Sequence, residues 1–421
     1  MTLQVLVAAA GADWEPDLVR LLDRPGSGVV VIRRCVDVAD AVATAASGQA
    51  DAAVLAARLP GLDSDAVDRL VHAGAEPVVV ARPGDADDAQ RAARWGVATI
   101  APESFEYLAT TVANARTERR TANQPAGAPS EPAVDTFAAA TAAEPGHVLA
   151  VWGPTGAPGR STVALGIAAG LAALGARTLV VDADVYGGAI GQMLAMLDEV
   201  SGVLAAARAA SDGRLDPAAL APHVRQIGPR LGVLTGVPRP DRWPQLRPGA
   251  LTGVLAAARE SAAFVVIDCG FCLEQDEELS FDTAAPRRNG ATVSALERAD
   301  TVLAVGSGEP LGLARLARGV VDLAEAVPGV DVRLVVNRVR TGLGWSQDEM
   351  ADTLFRFTGA TPITFLPDDR PAVDRAWVAG RTLAEAAPDS PLRKALQILA
   401  RDVAGVPAAP DRRRFRRRRA G

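Results

Sequence analysis

Residues 148–184 read VLAVWGPTGAPGRSTVALGIAAGLAALGARTLVVDAD. An apolar strand opens the stretch, a Gly/Pro-rich turn follows, and Ser161 and Thr162 begin a helix. A second apolar strand ends in Asp182-Ala-Asp184. A strand, glycine loop and helix in this order form an anion site, because backbone N–H groups and the helix N-terminus converge on a phosphate. The usual form of such a loop ends Gly-Lys-Ser/Thr. Here the lysine position is Arg160. The stretch therefore predicts an α/β fold built on parallel strands, and it leaves the phosphate chemistry open.

The chain of 421 residues is long enough for two or three domains. Lys394 is its only lysine. No apolar run approaches the roughly 18 residues that a membrane span needs. The opening MTLQVLVAAA lacks a basic region and reads as a strand, not as a signal peptide. A cytoplasmic protein is expected. The formal net charge is −6; residues 411–421 hold seven Arg and one Asp, which leaves −12 for the rest. A cationic run of this kind, Arg412–Arg419 with Phe415 inside it, seeks phosphates on lipid or on nucleic acid. Cys269 and Cys272 form Cys-Gly-Phe-Cys after a predicted strand. The pair reads either as a redox or metal pair or as small side chains beside a strand end. His72, His147 and His223 are scattered and complete no metal set.

Residues 1–110 alternate strands, predicted at 3–9, 28–34, 52–56, 77–81 and 97–100, with stretches of helical composition. Five such units make a small doubly wound, flavodoxin-like sheet. The order, together with VLAARLPGLDSDAV, resembles response-regulator receiver domains. That resemblance implies an acidic pair after the first strand, a phospho-accepting Asp four residues before Pro60 and a Lys after the fifth strand. Here those positions are Ala8 and Ala9, Ala56, and Ala101. With no carboxylates there is neither a Mg²⁺ site nor an acceptor. The segment reads as a pseudoreceiver for docking or dimerisation, or as an unrelated flavodoxin-like domain. Residues 111–146, rich in Ala, Pro, Thr and Glu, read as a flexible linker. Residues 147–405 form the main domain, with strands predicted at 148–152, 178–182, 231–235, 262–267, 301–305, 332–336 and 363–366, and residues 406–421 are read as a disordered tail. The βα alternation implies a mostly parallel sheet with ligands at the carboxyl ends of its strands.

The loop Gly153-Pro-Thr-Gly156-Ala-Pro-Gly159-Arg160-Ser161-Thr162 resembles the deviant Walker A motif of the MinD/ParA P-loop family. That family carries one lysine early in the loop and another before the Ser/Thr; Thr155 and Arg160 stand at those two places. Pro154 and Pro158 remove two backbone donors. Four apolar residues followed by Asp268 resemble its Walker B strand. The resemblance implies that Gly153, Thr155, Gly156, Gly159, Arg160, Ser161 and Thr162 cradle ATP, and that Asn337 reads the adenine edge. It further implies that Ser161, Asp182 and Asp268 serve Mg²⁺, and that Asp184 orients the attacking water. An N-capping pair is the plainer reading of Asp182 and Asp184. The segment after Asp268 occupies the place of the family's second switch, and its Arg287 and Arg288 read as phosphate or partner contacts or as a solvated loop face.

A receiver-like segment joined to such a domain looks like the CpaE/TadZ group, in particular its actinobacterial, septum-site-determining branch. That architecture implies a spatial regulator of tight-adherence pilus assembly or of septum placement, dimeric, with ATP and Mg²⁺ weakly held and partners in a secretion or division machine. It also allows a peripheral place at the membrane or cell pole through Arg412–Arg419. An active MinD/ParA-type ATPase in cell division or DNA partitioning is the alternative. The acidic body speaks against a DNA-partitioning role and the arginine tail for it. No cluster of His, Cys or Lys supports a small-molecule enzyme.

Overall fold

The computed structural model describes residues 2–22, 24, 27–82, 84–122, 145–196, 200–274, 286–340, 342 and 344–406. The arginine tail and residues 275–285 of the expected second switch lie outside the described residues.

The first sheet contains β1 (Leu3–Ala8), β2 (Val29–Arg34), β3 (Ala52–Ala56), β4 (Glu76–Val80) and β5 (Ala98–Ile100). Its order is β2-β1-β3-β4-β5 and every pairing is parallel. This is the doubly wound order of receiver-like domains. Val, Leu and Ala fill β3 and β4, which are buried along their whole length. Ala8 and Ala56 close their strands as buried core residues, and Ala101 follows β5.

The segment expected as linker from residue 111 begins as helix. Helix Leu108–Ala122 carries the first unit well past residue 110. Its polar composition hid it from a reading based on apolar stripes. Arg116 Nη2 donates to Asp51 O at 2.6 Å, and Arg119 Nη2 donates to Glu76 Oε1 at 2.8 Å. Arginine bonds to the sheet thus do part of the anchoring that an apolar stripe would do alone.

The second sheet contains β6 (His147–Trp152), β7 (Thr178–Ala183), β8 (Arg225–Gly228), β9 (Leu231–Leu234), β10 (Phe264–Cys269), β11 (Thr301–Ser307), β12 (Val332–Val339) and β13 (Ile363–Pro367). The order is β13-β12-β11-β6-β10-β7-β9-β8, parallel except for the antiparallel edge pair β8 and β9. Strand β8, Arg-Gln-Ile-Gly, carries no apolar alternation and was not expected. Along β6, Val148, Ala150 and Trp152 enter one core while Leu149 and Val151 enter the other. Alternation with period two buries the strand on both faces.

The two units touch through helices. Helix Ser64–His72 of the first lies on helix Pro248–Ser261 of the second so closely that a Cβ on Gly249 would stand 2.3 Å from Ser64 O. Arg247 lies 3.8 Å from both Asp63 and Asp65, and Arg298 lies 3.7 Å from Asp68. Trp95 Nε1 donates to Ala210 O at 3.4 Å, and Arg94 Nη2 donates to Asp216 at 2.9 Å. His72 Nε2 is 3.6 Å from Glu297; that carboxylate, assisted by Asp68, pushes the imidazole up to about 9 against the opposing effect of burial. The imidazolium is therefore the form present at neutral pH.

Candidate functional site

Strand β6 lies between β11 and β10, and β10 lies between β6 and β7. The carboxyl ends of these neighbours bring together residues far apart in sequence. Asp268 stands in register with Val151 on one side and with Asp182 on the other. The strand bearing Asp268 runs to Cys269, two residues further than expected, so this carboxylate belongs to the sheet itself.

The loop after β6 is tight. Ala157 N donates to Pro154 O at 3.0 Å, and Gly156 and Gly159 have φ of +76° and +89°. Only glycine adopts such conformations without strain. Helix Arg160–Ala173 starts after Gly159 with no side chain capping its first turn. The N–H groups of that turn therefore point toward the loop as anion donors. Ser161 and Thr162 stand on the same turn.

Arg160 turns inward. Its Nη1 donates to Gly153 O at 3.2 Å, its Nη2 lies 3.5 Å from Asp184 Oδ2, and its guanidinium sits 5.9 Å from the centre of the Phe271 ring. Asp184 Oδ1 also accepts Tyr186 N at 2.9 Å. Tyr186 stacks on Phe271 at 4.6 Å between centroids, and Arg288 covers the other partner's ring, lying 4.0 Å from the centre of Tyr186. Arg288 is thus a stacked residue rather than part of a solvated loop face; Arg287 is exposed.

Asp182, expected to serve Mg²⁺, accepts two backbone N–H groups. It is fully buried; Oδ1 accepts Asp184 N at 3.3 Å and Oδ2 accepts Ile190 N at 3.1 Å. It fastens the turn after β7. Asp268, 1% exposed, has no hydrogen-bond partner on either carboxylate oxygen. Burial pushes its pKa up to about 7, with Asp184 adding to the rise while Ser161 and Arg160 oppose it. Burial and then Asp268 push Asp182 well above the usual carboxylate range. Unpaired acceptors on Asp268, the nearby Ser161 and an unpartnered Arg160 Nε make a set in which a hydrated cation and an anion both find partners. Among the described residues no three His, Cys, Asp or Glu converge on one point. The set therefore fits a Mg²⁺ shared with a bound phosphate, the usual mode for that ion, and not an all-protein cage.

Asn337 ends its buried run at the edge of a cavity of about 530 Å³, which Ser161, Thr162, Arg338, Asp368 and Trp377 also line. Its Nδ2 donates to Pro158 O at 2.9 Å, so part of its hydrogen-bonding capacity holds the loop. Arg338 beside it adopts φ +55°, a conformation rare for residues with a side chain. Cys269 is a free, fully buried core thiol, and Cys272 Sγ accepts Asn289 Nδ2 at 3.2 Å. Asn289 in turn accepts the Tyr186 hydroxyl at 2.7 Å. Sequence reasoning missed Arg315, whose guanidinium lies against Gly156; nothing in its local sequence marks it.

Residues 144–219 match the family profile ParA, described as NUBPL iron-transfer P-loop NTPase. A comparison with curated proteins finds no match. Among solved structures, the cell division ATPase MinD of Pyrococcus furiosus is 20% identical, with a TM-score of 0.50, covering 62% of this chain and 99% of that one. A ParA family ATPase from Chlorobium tepidum is 20% identical, with a TM-score of 0.51, covering 60% of this chain and 98% of that one. Nearly the whole length of each is matched, and the loop of residues 153–159 lies within the matched profile. The second unit of this chain thus has the P-loop NTPase fold of MinD and ParA.

Proposed function

We propose that the chain is a ParA/MinD-family nucleotide-binding protein working as a spatial regulator of the CpaE/TadZ type, in tight-adherence pilus assembly or septum placement. ATP would lie in the 153–162 loop with its base toward Asn337 and the adjoining cavity. Ser161 and Asp268 would hold Mg²⁺, which would neutralise phosphate charge there. Asp184 would orient a water. One observation carries the reading of weak binding and slow turnover: Arg160 stands at the lysine position, yet its guanidinium is committed to Asp184 and to Gly153 O. A phosphate must compete with both. Phosphate release by the purified chain with Mg²⁺-ATP is expected to stay far below one turnover per second, under the range common for enzymes. Turnover within that ordinary range, abolished by Arg160→Ala, overturns the scaffold reading. It then favours an active ATPase of division or partitioning, the reading that the unpaired oxygens of Asp268 support.

In this proposal the first unit, with alanines at the receiver positions, is a docking module, and the protein acts as a homodimer with partners in a secretion or division machine. No helix among the described residues is long and apolar enough to cross a membrane. Membrane contact is assigned to Arg412–Arg419, each arginine adding roughly 1 kcal/mol on an anionic leaflet before screening. The full chain is expected to float with anionic vesicles at low salt, and a chain ending at Pro410 is expected to stay behind. A full chain that ignores the vesicles but shifts DNA returns the tail to nucleic acid.

A further inference from the structure

We infer that Arg315 is a nucleotide-binding residue: its guanidinium contacts the outer phosphates of a nucleoside di- or triphosphate at the edge of the loop where Thr155 brings no charge. The inference rests on the nucleotide-binding reading above and adds to it a cation from outside the loop.

The placement follows from how helix Pro310–Ala326 meets the loop. The helix follows β11, and β11 is a neighbour of β6. Leu313 and Leu316 are buried beneath it. One turn further on, Gly319 lies so close to the loop that a Cβ there would stand 2.8 Å from Pro154 Cβ. The helix is therefore anchored in the core around Arg315 and held against the loop at Gly319. From this position the Arg315 side chain crosses Gly156. A Cβ on Gly156 would stand 2.3 Å from Arg315 Nη1 and 3.4 Å from Cζ. Gly156 thus serves the loop twice, through its φ of +76° and by leaving room for the guanidinium.

Charge accounting points the same way. Thr155 and Gly156 are exposed, so this edge of the loop is open to a ligand. Arg315 makes no ion pair and no hydrogen bond among the described residues, whereas Arg340 nearby in the fold pairs with Glu309 at 2.7 Å and Arg160 pairs with Asp184. An arginine held against a phosphate-type loop, with every donor free of a protein partner among the described residues, has a planar fork available for two phosphate oxygens. Arg160, in contrast, must first give up Asp184. A monophosphate brings no outer phosphate to Arg315, so on this inference the contact discriminates by phosphate number.

The test is equilibrium titration of the full chain with fluorescent ATP, ADP and AMP analogues in Mg²⁺, comparing wild type, Arg315→Ala, Arg315→Lys and Arg160→Ala. Arg315→Ala is expected to weaken ATP binding roughly tenfold, the usual worth of a charge-assisted contact. AMP binding is expected to stay unchanged, and Arg315→Lys, which keeps the charge but not the planar fork, to recover only part of the loss. Thermal unfolding should match wild type, because the side chain is exposed and unpaired. If Arg315→Ala binds ATP as wild type does while Arg160→Ala does not, the Arg315 inference is wrong and the nucleotide reading stands. An equal loss for AMP and ATP also overturns the inference. A wild-type chain that binds none of the three analogues overturns both.

Discussion

Asp268→Asn is expected to stabilise the ligand-free protein at pH 8 by about 2 kcal/mol in urea unfolding, an estimate that combines burial of a charge with loss of an amide's hydrogen bonds. The carboxyl is buried without a hydrogen-bond partner, and its pKa is pushed up from 3.8 to about 7. A raised native pKa means that the folded state holds the proton more tightly than the unfolded state. Stability is then undiminished below about pH 4, falls as pH rises toward 7, and stays low above it. The full penalty is on the order of 4 kcal/mol. Asparagine removes it but leaves a buried amide short of partners, which returns part of the gain. The variant should therefore gain little at pH 4 and most at pH 8, and should lose any stabilisation by Mg²⁺-nucleotide. Equal or lower stability than wild type at pH 8 would show that Asp268 is not a strained carboxylate. Asp182 and Asp268 titrate as a pair, so the pH curve reports the two together.

The second large effect belongs to Arg160. Its ion pair with Asp184 is mostly buried, the side chains being 16% and 11% exposed. Truncation to alanine leaves Asp184 facing Asp268 and Asp182 with no cation beside them, and breaking a buried pair in this way costs about 3 kcal/mol. Arg160→Ala should also weaken ATP binding by between about tenfold and a hundredfold, through loss of a charged contact. Adding Asp184→Asn should return about half of the lost stability while leaving binding weak, a coupling that a double-mutant cycle measures. Simple additivity of the two substitutions in stability would mean that the pair does not interact. Restored ATP binding in the double variant would mean that Arg160 acts only through Asp184.

Much of this architecture was legible beforehand because its strands are long apolar runs ending at glycine, proline or aspartate. The loop at 153–162 and the carboxylates at the end of β7 and in β10 were found for that reason. Three features were not legible, each for a different reason. The helix through Ala122 lacks an apolar stripe and is tied down by Arg116 and Arg119. Strand β8 is short and polar, and exists because β9 offers it an edge. Arg315 reaches Gly156 only because β11 is laid beside β6, a neighbour relation that local patterning does not encode. Asp182 and Asp184 look equivalent in sequence; both are buried, but Asp182 is held by backbone N–H groups alone while Asp184 also pairs with Arg160.

Helix Gly290–Glu297 spans the distance between two kinds of contact. At its start, Asn289 binds Cys272 and Tyr186, and the Thr292 hydroxyl, buried and unpartnered, lies 2.9 Å from where a Cβ on Gly270 would be. At its end, Glu297 and Arg298 grip His72 and Asp68 of the first unit. Eight residues of helix make a strut about 12 Å long. The strut joins the contacts to Cys272 and Tyr186 at one end to ion pairs standing at 3.6 and 3.7 Å at the other. Those contacts have little slack before they pass the reach of a charged pair. Hydrogen exchange along helix Ser64–His72, compared with and without Mg²⁺-nucleotide, tests whether events at the loop reach the seam between the two units.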